Sequence, residues 1–339
     1  MTYGEIINQN CKRISNPWWA KHAFHYTDVS NAVSIIKTGY LFSRVDATKH
    51  RVMSNDNASQ QVIDMTYSGA TSYVRFYFRP LTPTQFHNEG YKHPNARYCQ
   101  DANANVPVPV FFVFDLEQLL SSPGTMFSEK SLAGGGGDLK SGPEEFSKLN
   151  FPQIYKNGYM DNAEEEKKYR HAEIIYPGQY EIAPSLKAIV CRNDVERKTL
   201  LNLLRGEGSK LFTLYQKYIV VRDDCFEKNG LYVSECEFIG TTATIVFSNT
   251  NSKKYYTNRY RKDDVKLVLS GHVDFHWHGK KMLLSTQSCE FVIDYDNCDA
   301  IKFTGLNRPQ DANALYMQVY FENKQMCYMC WQLSEAAML

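Results

Sequence analysis

The chain lacks any run approaching the eighteen or so unbroken apolar residues that a membrane-spanning helix requires. It also lacks an excess of charge: 38 Lys and Arg stand against 37 Asp and Glu, leaving +1. The first absence excludes a helical membrane protein. The second excludes a general attraction to polyanions, so any nucleic-acid site must be a local patch. Met1 to Ser15 is polar, with no apolar core followed by small residues, and no export signal is expected there. The nine cysteines are an odd number scattered over the whole length, which reads as reduced thiols in a cytoplasmic protein rather than a disulfide framework. Internal repeats are lacking too, and Gly134–Gly137 is the one low-complexity tract.

What is present has the composition of a globular protein. Hydrophobic residues are 43% and charged residues 22%, which excludes wholesale disorder, and 339 residues make two domains the natural prior. Ala23–Thr27 reads as a short strand. Asp28 or Ser30 can then cap a helix over Asn31–Lys37, whose Ala32, Val33, Ile35 and Ile36 share one face. Gly39 follows where helices commonly stop in a left-handed turn. Arg51–Tyr67 reads as a loop leading into a short helix. Tyr73–Phe78 and Val108–Phe114 suit buried strands, and Leu116–Leu120 a short helix.

The stretch Ser121–Tyr169 contains Pro123, Pro143, Pro152 and the glycine run, and has little periodicity. A loop of that length inside a compact domain is more often functional than idle. It closes on strands over His171–Tyr176 and Ala188–Arg192, followed by a helix from Asp194 through Leu204. From about Lys210 alternating runs recur at hairpin spacing: Tyr218–Val221, Tyr232–Phe238, Ala243–Phe247, Val265–Val268, Met282–Leu284, Phe291–Ile293 and Ala314–Phe321. The expected fold is α+β, a mixed β core with flanking helices over 1–205 and a β-rich domain over 210–339.

Five separated pieces, in order, carry a resemblance. Phe24-His25-Tyr26-Thr27 leads into Asn31 and Ser34-Ile35-Ile36-Lys37-Thr38-Gly39-Tyr40-Leu41, and Phe76-Tyr77-Phe78-Arg79-Pro80 forms a strand and turn. Pro109–Phe114 reads PVFFVF, Met126-Phe127-Ser128 opens the long loop, and Arg170-His171-Ala172-Glu173 ends it. Together they resemble the DarT-like family of nucleic-acid ADP-ribosyltransferases over roughly the first half of the chain. The resemblance implies an ADP-ribosyltransferase fold with NAD⁺ as co-substrate and no metal. In such chemistry NAD⁺ carries its own leaving group. The enzyme orients the ribose and stabilises an oxocarbenium-like transition state, for which a carboxylate near the 2′-OH suffices, and that carboxylate can also take the nucleophile's proton.

Carried over residue by residue, the resemblance makes Glu173 the catalytic carboxylate. His25 is catalytic and, with Thr27 and Asn31, holds the nicotinamide and its ribose, while Tyr77 supplies an aromatic wall. Arg79 substitutes for a basic residue that the family has where this chain has Leu81. Arg44 and Arg51 are the candidates for an arginine on the NAD⁺ phosphates. The loop would read substrate, with Phe127, Phe146, Phe151, Tyr155 and Tyr159 stacking an unpaired base and Lys140, Lys148, Lys156 and Arg170 meeting phosphates.

In the second domain, Lys253 to Lys262 holds five basic residues interleaved with three tyrosines. Lys253, Lys254, Arg259 and Arg261 there are candidate phosphate contacts, set against a solvated hairpin tip. Asp274, His276, His278 and a Cys327/Cys330 pair are compatible with zinc, but their spacings are also ordinary for strands, and no metal is expected.

Family members are bacterial toxins, usually neutralised by a protein antitoxin and often used against phage. DNA is their best-known target, and departures such as the added β-rich domain leave an RNA-directed relative open. A degenerate, non-catalytic binding module and a protein-modifying transferase are the alternatives.

Overall fold

The computed structural model describes residues 1–53, 70–132, 137–158, 162–280, 282–298 and 300–333. The expected helix after Arg51, most of the glycine run and Tyr159 lie outside these residues.

Helix α1 (Tyr3–Cys11) starts in a reciprocal cap between Thr2 and Glu5. Strand β1 (His22–Asp28) ends in the residue that starts the next helix: Asp28 Oδ1 accepts from the Ser30 amide at 2.8 Å. Helix α2 (Val29–Thr38) then stops at Gly39, whose φ of 78° is the left-handed turn expected there. β2 (Tyr40–Phe42) and α3 (Arg44–His50) follow, with Ser43 capping α3.

Strand β3 (Tyr73–Tyr77) turns through Pro80 into α4 (Pro83–Asn88). β4 (Pro109–Asp115), buried along nearly its whole length, leads to α5 (Leu116–Leu120). The segment read as one long loop is structured: β5 (Met126–Ser128), α6 (Gly142–Ser147), α7 (Phe151–Ile154) and α8 (Ala163–Arg170) lie within it. β6 (Glu173–Pro177), β7 (Gln179–Glu181), β8 (Leu186–Cys191), α9 (Asp194–Glu207), α10 (Ser209–Tyr215) and β9 (Ile219–Val221) complete the first unit.

Seven of these strands form one sheet in the order β5-β6-β3-β1-β4-β8-β9, antiparallel except for β8 with β9. Residues 219–221, read from sequence as opening the second domain, are thus the edge of the first sheet. One core runs from Ile6 to Phe226, and the other takes over at Leu231, with Tyr91 and Val195 contributed from the first unit.

The second unit has a three-stranded sheet of β10 (Val233–Ile239), β11 (Thr242–Phe247) and β14 (Ala300–Phe303). A four-stranded sheet has the order β13-β12-β15-β16, built from β12 (Val268–His278), β13 (Leu283–Asp294), β15 (Ala314–Phe321) and β16 (Lys324–Gln332). The runs Met282–Leu284 and Phe291–Ile293 are the two ends of one long strand. Lys253–Lys262, read as a hairpin tip, largely forms helix α11 (Asn251–Tyr260). Its Lys253, Tyr256 and Thr257 are buried at spacings of three and four, with Lys254, Tyr255, Asn258 and Arg259 outward. Among the described residues no helix is long and apolar enough to cross a membrane.

The two units meet through buried charge. The Glu89 carboxylate accepts from Arg192 Nη1 (3.1 Å), Gln85 Nε2 (2.7 Å) and the main-chain amides of Glu227 (2.7 Å) and Lys228 (2.8 Å). Arg192 also pairs with Glu196, donates to the Pro107 carbonyl, and lies 3.8 Å from the centre of the Tyr232 ring. Removing one member of such a network leaves uncompensated charge in the interior. Arg192→Ala should therefore cost about 3–5 kcal/mol of stability, measured by urea unfolding followed by tryptophan fluorescence. Both cores hold a buried reporter, Trp19 and Trp277, and both should unfold earlier. A loss below about 1 kcal/mol would show that the network is not what joins the units.

Candidate active site

The site grows from the alternation of β3. Val74 and Phe76 enter the core, so Tyr73, Arg75 and Tyr77 face the other way. In the ladder Tyr77 stands opposite Glu173 and Arg75 opposite Ile175, which makes Arg75 and Glu173 diagonal neighbours on one face, within reach of a long side chain. Arg75 grips the carboxylate with both edges of its fork: Nε to Oε2 at 2.8 Å and Nη2 to Oε1 at 2.6 Å. Glu173 is 1% exposed and Arg75 28%, so the carboxylate is closed off from solvent while the arginine side chain is partly exposed.

β1 approaches β3 at a single registered pair, Phe24 with Tyr77. Beyond it the imidazole of His25 takes the place of the ladder, with Nδ1 2.9 Å from the Arg75 carbonyl. A carbonyl only accepts, so Nδ1 carries the proton and Nε2 keeps its lone pair. Burial pushes the His25 pKa down, partly offset by that hydrogen bond. The ring is neutral near pH 7.

Burial pushes the Glu173 carboxyl above the usual carboxylate range, and Arg75 pulls it back. Each Glu173 oxygen retains acceptor capacity beyond what Arg75 uses. Arg75 is thus the link: its main chain fixes the histidine and its side chain fixes the carboxylate. Its place in the middle of an otherwise apolar run was the signal that sequence reading passed over. His171, two residues before Glu173, was passed over as well. Burial, and after it the charge of Arg75, lower its pKa to about 4.

Tyr77 flanks Glu173 in the sheet, with Ser128 of β5 on its other side. Thr27 is buried on β1, and Asn31 lies half-buried in the first turn of α2. Arg44 opens α3 half-buried, and Arg51 ends it exposed, in a left-handed conformation at φ 56°.

Arg79 lies elsewhere and is fully buried. Its guanidinium donates to the carbonyls of Pro80 (2.9 Å), Ile154 (3.2 Å) and Lys156 (2.5 Å), and burial lowers its pKa to about 9. With its donors spent on main chain and on the Asn157 side chain (3.4 Å), it is a strut under residues 154–157 rather than a cofactor ligand.

The loop aromatics are core, not platform: Phe127, Phe146, Phe151 and Tyr155 are all buried, and Phe146 packs edge-on against Phe127, Phe151 and Tyr3. Apolar rings collapse inward once the segment forms short helices, which removes them as base-stacking surfaces. Lys148 is exposed but paired with Glu145 and Glu144, and Lys156 is paired with Glu166. Lys140 is half-buried, its main chain bridging Phe127, and Arg170 donates to the Gly158 carbonyl at 2.8 Å.

On α11, Lys253 is buried against the Tyr295 ring. Arg261, just beyond the helix, is paired with Asp296 at 2.5 Å, so neither is available to a phosphate. Lys254 and Arg259 face outward. Among the described residues no group of His, Cys, Asp or Glu is placed to hold a metal ion. Cys327 is buried toward Cys236 while Cys330 lies beside Tyr316 on the other face of the sheet, because a spacing of three on a strand reverses direction.

A family model described as "ssDNA thymidine ADP-ribosyltransferase, DarT" matches residues 24–219 of the 339. No curated protein matches the chain in sequence. Among solved structures the chain is similar to Thermus sp. 2.9 DarT in complex with ADP-ribosylated ssDNA, at 15% identity and a TM-score of 0.50, covering 61% of this chain and 96% of that one. The same protein in complex with NAD⁺ aligns at 14% identity and 0.46, over 61% and 97%. Thermosipho africanus DarTG in complex with ADP-ribose aligns at 9% and 0.46, over 64% and 53%. The family match spans more than half the chain and takes in β1, β3 and β6 with His25, Arg75 and Glu173: the chain belongs to the DarT family of ssDNA thymidine ADP-ribosyltransferases.

Proposed function

We propose that this chain transfers ADP-ribose from NAD⁺ to a base of single-stranded nucleic acid, with Glu173 as the catalytic carboxylate, and that it serves as a cytoplasmic bacterial toxin restrained by a protein antitoxin and directed against phage. The single observation that carries the reaction is the buried Glu173 carboxylate held in a fork by Arg75, one residue of main chain from neutral His25. DNA is the polymer in the family's description. RNA is the other polymer to be tested.

The residues present fit NAD⁺. Bound there, NAD⁺ supplies the ADP-ribosyl group and its own leaving group, nicotinamide. His25 offers an acceptor nitrogen, Tyr77 an aromatic surface, and Thr27 and Asn31 polar groups on β1 and α2, where they would hold the nicotinamide and its ribose. Arg44 and Arg51 are the arginines that would meet the phosphates. Glu173 contributes negative charge where positive charge develops, already oriented, so no reorganisation is needed when the bond breaks. Its remaining lone pairs can take the proton of the incoming base nitrogen. Arg75 is a positioning residue that keeps the carboxylate ionised against the pull of burial.

The decisive experiment incubates the chain with labelled NAD⁺ and, in parallel, single-stranded DNA, single-stranded RNA and a bacterial lysate. Label should appear on one nucleic acid. Label confined to protein would overturn the substrate, and no label on any polymer would overturn the transferase. Glu173→Gln should bind NAD⁺ normally yet transfer about two to four orders of magnitude more slowly. Near-full transfer would remove Glu173 from this role.

The pH dependence has a defined sign. The ionised carboxylate is the working form, so activity falls as pH drops through the Glu173 pKa, which burial raises. Arg75 opposes that rise. Arg75→Gln should therefore move the acid limb of the pH–rate profile upward by about one unit or more, and an unmoved limb would show that Arg75 does not set the charge of Glu173.

A further inference from the structure

Helix α11 belongs to the second unit in sequence, yet it is docked on the segment that leads out of β3. Tyr256 packs on Phe86 (ring centroids 5.3 Å apart), donates from its hydroxyl to the His87 carbonyl (3.3 Å), and carries Lys92 Nζ 3.8 Å from its ring centre. The Lys262 amide donates to the Asn95 carbonyl at 3.1 Å. This docking gathers three rings. His87 lies stacked on Tyr98 at 3.8 Å and 22°, and Tyr260 stands edge-on to both at 5.6 and 5.7 Å. Arg259 lies over the Tyr260 ring and donates to the Tyr255 hydroxyl at 3.2 Å.

The outer surface is open. Tyr255 is 59% exposed, and Lys254, Asn258, Arg259 and the neighbouring Lys167 are exposed as well. His87 Nδ1 is buried without a hydrogen-bond partner among the described residues. The cations bearing on His87 are Lys92, Lys167 and Arg259. His87 stands on α4, the helix that β3 leads into, and Tyr77 of β3 stands opposite Glu173 in the sheet.

Rings interleaved with exposed cations, of which Lys167 also lies 3.6 Å from Glu164, are what an unpaired strand needs: a π-face for a base and a cation for the phosphate next to it. We propose that Tyr98, Tyr255 and Arg259, with Lys254 and Lys167 beside them, form a subsite for a nucleotide flanking the modified base, through which the second unit takes part in choosing the sequence context. This rests on the transferase reading above. It assigns α11 a role in substrate binding, not in the reaction at Glu173.

The test uses the full chain and an oligonucleotide that the wild-type protein labels. Arg259→Ala and, separately, Tyr255→Ala should raise the KM for the oligonucleotide about 10-fold with kcat at saturation and thermal melting retained. Arg259→Ala should also reduce the slope of log affinity against log salt by about one. An abasic residue scanned along the oligonucleotide should weaken wild-type binding at one flanking position, and that position should lose its effect in Tyr255→Ala. Because Tyr255 is exposed, its variant keeps the test intact even if Arg259→Ala disturbs the ring it covers. An unchanged KM and salt slope in both variants, with wild-type labelling intact, overturns the subsite alone. Absence of labelling of any nucleic acid by the wild-type protein overturns the transferase reading instead.

Discussion

One buried carboxylate fixes the geometry on which the rest depends. Glu89 ends α4, and its four donors come from three different parts of the chain: Gln85 of its own helix, Arg192 at the end of β8, and the amides of Glu227 and Lys228 at the entrance to the second unit. A carboxylate inside a protein is tolerated when its acceptor sites are filled, and costly otherwise. The chain around it is therefore held to one arrangement. The main chain adds a further restriction next door. Tyr91 and Leu231 exchange both backbone hydrogen bonds, and a Cβ on Gly90 would lie 2.7 Å from the Gly230 Cα. Two backbones can approach that closely only where neither residue carries a side chain.

The same economy governs the active site. Strand alternation alone would place His25 and Glu173 on separate strands with β3 between them. Arg75 bridges the gap with both of its halves, carbonyl to His25 and guanidinium to Glu173. A shift of one residue in the pairing of β3 with β6 would turn Arg75 into the core and Phe76 outward. The apolar residues Val74 and Phe76 therefore secure the register that aims Arg75 at Glu173. The chemistry rests on packing as much as on charge.

Much of this was legible in the sequence because it is local. The Asp28 cap, the Gly39 stop, the buried β4 and the strand carrying Glu173 all follow from residue types within a few positions of one another. What was not legible depends on distant partners. Phe127, Phe146 and Tyr155 read equally well as an exposed stacking surface or as core, and only the short helices between them, folded against α1, decide for core. Arg79 reads as the stand-in for the family's basic residue until the carbonyls of residues 154 and 156 are brought to it. Lys253–Lys262 has the spacing of a helix with a buried stripe, but its tyrosines also suit a hairpin, and the contact that selects the helix lies at Phe86 and His87, far away in the chain. Arg75 was visible throughout as a charge in an apolar strand, a pattern that marks either a partner or a site, and here it marks both.

The mode of attachment of the second unit bears on what that unit can do. A module on a flexible tether raises the local concentration of a strand but cannot hold a given nucleotide at a given distance from a catalytic group. Here the attachment is made at three places: the Glu89 network, the packing of Tyr256 on α4, and α9, whose Asn202 and Thr199 hydrogen-bond the main chain of Tyr328 and so cover the edge of β16. Side chains presented from such a frame stay in fixed relation to Glu173, and reaction rates depend steeply on such placement. The outward residues of α11 are therefore joined by packed and hydrogen-bonded contacts to the unit that carries Glu173, which is the condition for selecting a base by its neighbour.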